Sequence, residues 1–314
     1  MANDSLRIIS LLPSTTEIVC ALGLQDALVG ITHECDYPLS VSNKPRLTRS
    51  RISHETMTSA EIDHAVRSQL DGHGSIYDLD ESRLLELKPD LILTQELCEV
   101  CAVSYKTVER AARMFETDVK VVSLEPKTIG DILENILFVG ELTNRKSEAQ
   151  NLIDNLQARL DRISASTSET ARRPRTLMLE WLEPAFAPGH WVPEQVAIAG
   201  GDNAFGRLGE RSVTTTAEAI FSYAPEVIVL IPCGFYKEDI LRQLPSARLP
   251  EGWCDLPAVK HGDVWATDAT AYFSRPGPRV VDGVEILSQI LHPELSGPPN
   301  PSQAVRVPAH LMMC

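Results

Sequence analysis

Short apolar runs alternate with helically spaced apolar positions through the first part of the chain, over residues 8–12, 15–22, 29–32, 59–70, 84–87, 91–94, 103–115 and 119–124. Strands separated by helices predict a parallel sheet with both faces covered. From Thr128 to about Ser164 the pattern becomes purely helical. Ile129, Ile132, Leu133, Ile136, Leu156 and Leu160 recur at helical spacing, and no proline interrupts until Pro174. Gly140 and Thr143-Asn144 leave open one long helix or two abutting ones. A small, polar stretch over 164–174 suits a surface linker. A second alternating half then runs over 176–179, 193–199, 216–223, 227–231, 240–244, 264–267 and 280–291.

The expected layout is an N-terminal α/β lobe over 1–127, a connecting helix over 128–165, a C-terminal α/β lobe over 166–296 and a mobile tail over 297–314. One internal echo supports duplication. The stretches 87–94 (LKPDLILT) and 223–230 (YAPEVIVL) both place Pro and an acid between a helix end and a buried strand.

Composition narrows the class. The 314 residues suffice for two domains with separate cores, and 43% hydrophobic with 23% charged residues fits an ordinary globular chain. A formal charge of −14 opposes phosphate backbones, so nucleic acid is excluded as an expected partner. No window approaches the roughly 18 consecutive apolar residues of a membrane helix, so no membrane insertion is expected. The first residues lack a basic region and an apolar export run, and residues 6–12 read as a strand instead, which gives a cytoplasmic expectation. Seven cysteines, an odd number without a small-scaffold spacing, are expected as reduced thiols, with Cys20 and Cys254 as buried small residues.

Ligands of open parallel sheets bind beyond the carboxyl ends of the strands, so the residues following each run are the candidates. Pro13, Ser14 and Thr15 follow the first run; Ser14 or Thr15 is expected to cap the next helix, whose free amides suit a ligand oxygen. His33, Glu34 and Cys35 follow another run, and Glu96, Cys98 and Cys101 follow residues 91–94. His33, Cys35, Cys98 and Cys101 combine imidazole and thiolate, so a zinc or iron site stands beside a purely structural role. In the second half, Glu180 with Trp181, and His190 with Trp191, suggest a stacking wall with a polar or metal-directed imidazole. Gly200-Gly201-Asp202-Asn203 reads as a structural turn. Tyr272 and Arg275 precede the last helix and are placed to close over a ligand, while Arg279 stands in that helix's first turn, where a cation opposes the dipole unless an acid pairs with it; a buried structural ion pair is the alternative.

No Gly-x-Ser-x-Gly, Gly-x-x-x-x-Gly-Lys, His-Glu-x-x-His or Gly-x-Gly-x-x-Gly set is present, which counts against the common hydrolase, kinase and dehydrogenase classes. A metal- or thiol-dependent enzyme built around Cys35 ranks behind a binding protein.

The segments 9–24 (ISLLPSTTEIVCALGL), 28–38 (LVGITHECDYP), 87–93 (LKPDLIL), 258–265 (AVKHGDVW) and 275–279 (RPGPR) together resemble the periplasmic-binding-protein family of the vitamin B12 and siderophore receptor type, a helical-backbone metal receptor. The resemblance implies two Rossmann-like α/β lobes with parallel-rich sheets, joined by a long rigid helix with a ligand cleft between them. It implies a corrinoid such as cobalamin, a metal chelate or a bare metal as ligand. In transport-coupled relatives, acidic side chains dock on a membrane permease. The His33-Glu34-Cys35 and Cys98-x-x-Cys101 pattern resembles a soluble, cobalamin-binding-like subgroup.

Overall fold

The computed structural model describes residues 6–52, 57–71, 77–95, 108 and 119–312. Two compact units emerge. The first comprises Met1–Ser53, His64–Pro126 and Gly130–Asp154; the second comprises His54–Asp63, Lys127–Ile129 and Asn155–Cys314.

The first unit is built on β1 (Ile8–Ser10), β2 (Leu28–Gly30), β5 (Leu91–Thr94) and β6 (Lys120–Ser123), in the order β2-β1-β5-β6 and parallel throughout. β1 and β5 are wholly buried, as their continuous apolar runs require for a sheet covered on both faces. Because β1 connects onward to β2 on one side and β5 to β6 on the other, the carboxyl ends of β1 and β5 flank the place where the strand order reverses. A separate antiparallel pair, β3 (Thr48–Ser50) and β4 (Tyr77–Leu79), lies outside this sheet. The helices of this region are α1 (Pro13–Ala21), α3 (Glu81–Glu86) and the larger part of α2 (Ser59–Asp71), whose residues up to Asp63 belong to the second unit.

The connecting segment is two helices, α4 (Ile129–Leu142) and α5 (Lys146–Ser168). Asn144 takes a left-handed φ of 56°, and a Cβ on Gly140 would stand 2.4 Å from that of Ala149. The break is therefore a tight corner that only a glycine at 140 accommodates. The change from first to second unit falls inside α5, after Asp154.

The second unit holds β7 (Thr176–Leu179), β11 (Val227–Leu230), β12 (Val264–Thr267) and β13 (Ala304–Arg306), in the order β13-β12-β11-β7. The first three are parallel and β13 is antiparallel. A small antiparallel sheet of β8 (Trp181–Leu182), β9 (Ala185–Ala187) and β10 (Val213–Thr214) follows β7. Its helices are α6 (Val192–Ile198), α7 (Ala217–Tyr223), α8 (Lys237–Gln243), α9 (Pro257–His261), α10 (Ala269–Tyr272), α11 (Val280–Leu291) and α12 (Pro293–Ser296). Arg159 of α5 ties to α11 through Glu285, at 2.9 and 2.6 Å, and Asp282, at 2.5 Å.

The expectation of a mobile tail from Gly297 is corrected. Trp265, Ala266 and Thr267 pair with Arg306, Val305 and Ala304, and the Arg306 guanidinium lies 5.0 Å over the Trp265 ring. The prolines at 298, 299 and 301 end before that strand and do not interrupt its ladder.

The internal echo has a structural counterpart. Lys88 and Ala224 both take left-handed φ values, of 42° and 51°, before their Pro-acid pairs. The Arg7 amide donates to the Asp90 carboxylate at 2.8 Å, and the Arg175 amide donates to that of Glu226 at 3.2 Å. In return, the amides of Asp90 and Leu91 reach Arg7 O, and those of Glu226 and Val227 reach Arg175 O. Each sheet thus begins at the same arginine-acid latch.

Candidate functional site

The turn after β1 is lined with hydroxyls. Thr16 Oγ1 donates to Ser10 Oγ at 2.7 Å, and Thr15 Oγ1 donates to Leu12 O at 3.1 Å. The capping expectation is corrected here: Leu12 is the N-cap, Pro13 opens α1, and no side chain caps it. Proline supplies its own helical φ, so Ser14 and Thr15 fall inside the first turn and are buried with Pro13.

Cys35 closes this network from the next turn. Its Sγ lies 3.1 Å from Thr16 Oγ1 and 3.4 Å from Thr32 Oγ1, and the residue is fully buried. Cys35 thus sits among hydroxyls. Glu96, Cys98 and Cys101, the other parts of the expected cluster, lie outside the described residues. Among the described residues, no group of three His, Cys, Asp or Glu is placed to hold a metal ion.

His33 and Glu34 stand on a turn held from three sides. Arg46 Nη1 donates to the carbonyls of Thr32, His33 and Cys35, at 3.0, 2.6 and 3.2 Å. Thr48 Oγ1 accepts from the His33 amide at 3.1 Å and lies 2.7 Å from its Nδ1. Tyr77 donates to Glu34 Oε1 at 3.2 Å. The β3-β4 pair supplies both Thr48 and Tyr77, which explains why this small sheet lies beside the turn.

In the second unit, Glu180 follows β7 directly. Loss of hydration raises its carboxyl pKa above the usual glutamate value, against the lowering effect of a hydrogen bond to Ser212. Trp181 is half-buried; its Nε1 donates to Ser59 O at 3.2 Å and Glu183 O at 3.1 Å, and its ring meets Phe235 edge-on at 5.6 Å.

His190 occupies a left-handed backbone position, φ 51°. Its amide donates to Glu210 O at 2.7 Å, and its carbonyl accepts from Gly209 at 3.0 Å. Gly189 has no room for a Cβ, which would stand 2.1 Å from Glu210 O, and Gly206 has none against Pro188 O. These contacts hold an uncommon conformation that a histidine does not choose unaided. Burial, then the charges of Arg211 and Lys127, lower the imidazole pKa and keep the ring neutral.

Trp191 does not form the expected wall. It is 6% exposed, and its Nε1 donates to Phe273 O at 2.9 Å, because it terminates α6 inward against α10. Tyr272 is half-buried with Arg279 5.9 Å from its ring centroid, whereas Arg275 is buried at 6% exposure. The structure thus brings Trp191 to the Tyr272–Phe273 segment, places His190 beside it at 5.7 Å between ring centroids, and leaves Arg275 interior.

Sequence reasoning missed Arg46, Thr48, Tyr77, Gln195, Ser212 and Gln303. None stands at the carboxyl end of an apolar run. Only Thr48 and Arg46 carried a signal, two-residue spacing in an extended stretch shortly after His33.

Cys254 is exposed and disulfide-bonded, correcting its expected place among buried, reduced thiols. Among the described residues, Cys20, Cys35 and Cys233 are thiols outside any disulfide.

Two parallel-rich α/β units, each carrying polar turns beyond its strands, define a binding protein of the solute-receptor class. The model of the family described as Periplasmic binding protein matches residues 8–271, and this chain belongs to that family. The ABC transporter substrate-binding lipoprotein YvrC of Bacillus subtilis is 23% identical over 92% of this chain and 80% of its own length. A vitamin B12-binding protein of Vibrio cholerae is 25% identical over 89% of this chain and 86% of its own. The periplasmic heme-binding protein RhuT from Roseiflexus shares the fold at TM-score 0.67 and 20% identity, over 92% of this chain and 98% of its own.

The cytoplasmic expectation is overturned by these relatives, which are periplasmic proteins or lipoproteins. A disulfide at Cys254 agrees with an oxidising compartment. Among the described residues no helix is long and apolar enough to cross a membrane.

Proposed function

We propose that this protein is a receptor for a metal-bearing macrocycle, of the corrinoid or heme kind, which it presents to a membrane permease. The turn at His190 carries this reading. Its imidazole is kept neutral by burial and neighbouring cations, and its backbone is locked in a left-handed conformation. A neutral imidazole is a competent ligand or hydrogen-bond partner for an iron or cobalt centre, and a strained residue held by its surroundings is characteristic of a ligand site. Relatives whose names give vitamin B12 or heme as ligand support the same class of cargo.

On the first unit, taken by itself, the polar groups at the turns beyond the strands are His33 and Glu34. On the second they are Glu180, Trp181, His190 and Tyr272. Trp191 and Arg275 act from behind the surface as buried supports.

Absorbance titration and equilibrium dialysis of the metal-free protein with hemin and with cyanocobalamin test this. The expected result is saturable, one-to-one binding of one probe, weakened in His190→Ala. Retention of neither at concentrations on the order of tens of micromolar ends the proposal.

A further inference from the structure

Tyr272 lies one residue beyond the stretch matched by the family model, and it is held at three points. Its carbonyl accepts from Gln195 Nε2 at 3.1 Å; the same nitrogen donates to Val280 O at 2.8 Å. Two carbonyls within reach of one amide nitrogen fix the orientation of the Gln195 side chain, since its oxygen would repel both. Four residues earlier, at the N-cap of α6, Trp191 Nε1 donates to Phe273 O. One face of α6 thus grips the end of α10 at consecutive carbonyls.

Gly283 lets α11 approach this junction. A Cβ there would stand 2.6 Å from Tyr272 O and 2.7 Å from Gln195 Nε2. The Tyr272 ring has the Arg279 guanidinium on one side at 5.9 Å, and its hydroxyl accepts from Gln303 Nε2 at 3.4 Å. Gln303 is itself anchored, its carbonyl accepting from the Asp268 amide at 3.3 Å and its amide donating to Asn300 O at 2.8 Å.

A tyrosine hydroxyl has one proton to give and lone pairs to accept with. The bond from Gln303 uses the acceptor side and turns the proton toward a different partner. We infer that the Tyr272 hydroxyl donates a hydrogen bond to a carbonyl or carboxylate side arm of the bound ligand, with Gln195 and Gln303 as its positioning residues. The inference rests on the receptor reading above. Corrinoid amides and porphyrin carboxylates both offer such an oxygen, and separate probes distinguish them.

Wild type, Tyr272→Phe, Gln303→Leu and the double variant are titrated with cyanocobalamin and with hemin, after thermal melts establish folding. For the probe that binds, each single substitution weakens affinity about threefold to tenfold. The double variant stays within about twofold of Tyr272→Phe alone, because both substitutions remove one interaction. An equal further loss from Gln303→Leu in the Tyr272→Phe background overturns the positioning role. Binding indifferent to Tyr272→Phe overturns the contact while leaving the receptor reading intact; binding of neither probe overturns both.

The clamp is also read without ligand. Gln195→Met speeds amide hydrogen exchange over residues 272–283, and unchanged exchange refutes the clamp. Should that variant not fold, Trp191→Phe, which removes only the indole N–H, gives the same reading at Phe273.

Discussion

His33 Nδ1 lies 2.7 Å from Thr48 Oγ1, and the same oxygen accepts the His33 main-chain amide. One buried hydroxyl therefore fixes both the backbone and the ring plane of a residue whose Nε2 edge faces Glu34. The constraint comes from outside its own turn.

Thr48→Val keeps the shape and removes the hydroxyl. It strands the His33 amide and costs about 1–2 kcal/mol of stability by urea unfolding. Ligand affinity falls with it, and Thr48→Ser restores both. A Thr48→Val protein as stable as wild type contradicts the assigned bonding.

Glu180 predicts a pH dependence. Its folded-state pKa lies above the usual value of about 4.5, so between those two values the folded chain holds a proton that the unfolded chain has released. Stability through this group is full below about 4.5 and declines as pH rises toward the folded pKa. Glu180→Gln flattens that decline in melts taken from pH 4 upward. Asp268, raised by burial in the same direction, leaves a residual slope. An unchanged slope in Glu180→Gln refutes the shift.

Gly189→Ala pushes a methyl into Glu210 O and the Arg211 carbonyl. The 206–212 loop must move, and the His190 turn moves with it. The expected cost is about 2 kcal/mol or more, with loss of ligand binding. A variant that melts like wild type argues against the close approach.

Cys35 has no exposed surface and packs against two threonine hydroxyls. In timed alkylation read by peptide mass spectrometry, it is modified only after denaturant is added. Cys20 is also slow, its thiol pKa pushed up to about 11 by burial and, next, by Cys35. Rapid labelling of Cys35 in the native protein shows that the thiol is open to solvent.

Periodicity along the chain determined the two α/β halves, because runs such as 91–94 and 227–230 are apolar on both faces and have no stable place except inside a covered sheet. The Pro-acid echo was legible for the same local reason, as was the candidate status of His33, Glu180 and His190 just beyond strands. What lay beyond reading were contacts between residues far apart in sequence. Trp191 reads as an exposed aromatic among Gly and Pro, yet its indole is spent on Phe273, 82 residues away. Gln303, in a proline-rich tail, reaches Tyr272 only because β13 pairs with β12. Local pattern dictates whether a segment is helix or strand, since that depends on neighbours within a few residues. Which polar atoms meet, and therefore which histidine is held and which tryptophan is buried, depends on where folding brings distant elements, and only the tertiary structure decided that.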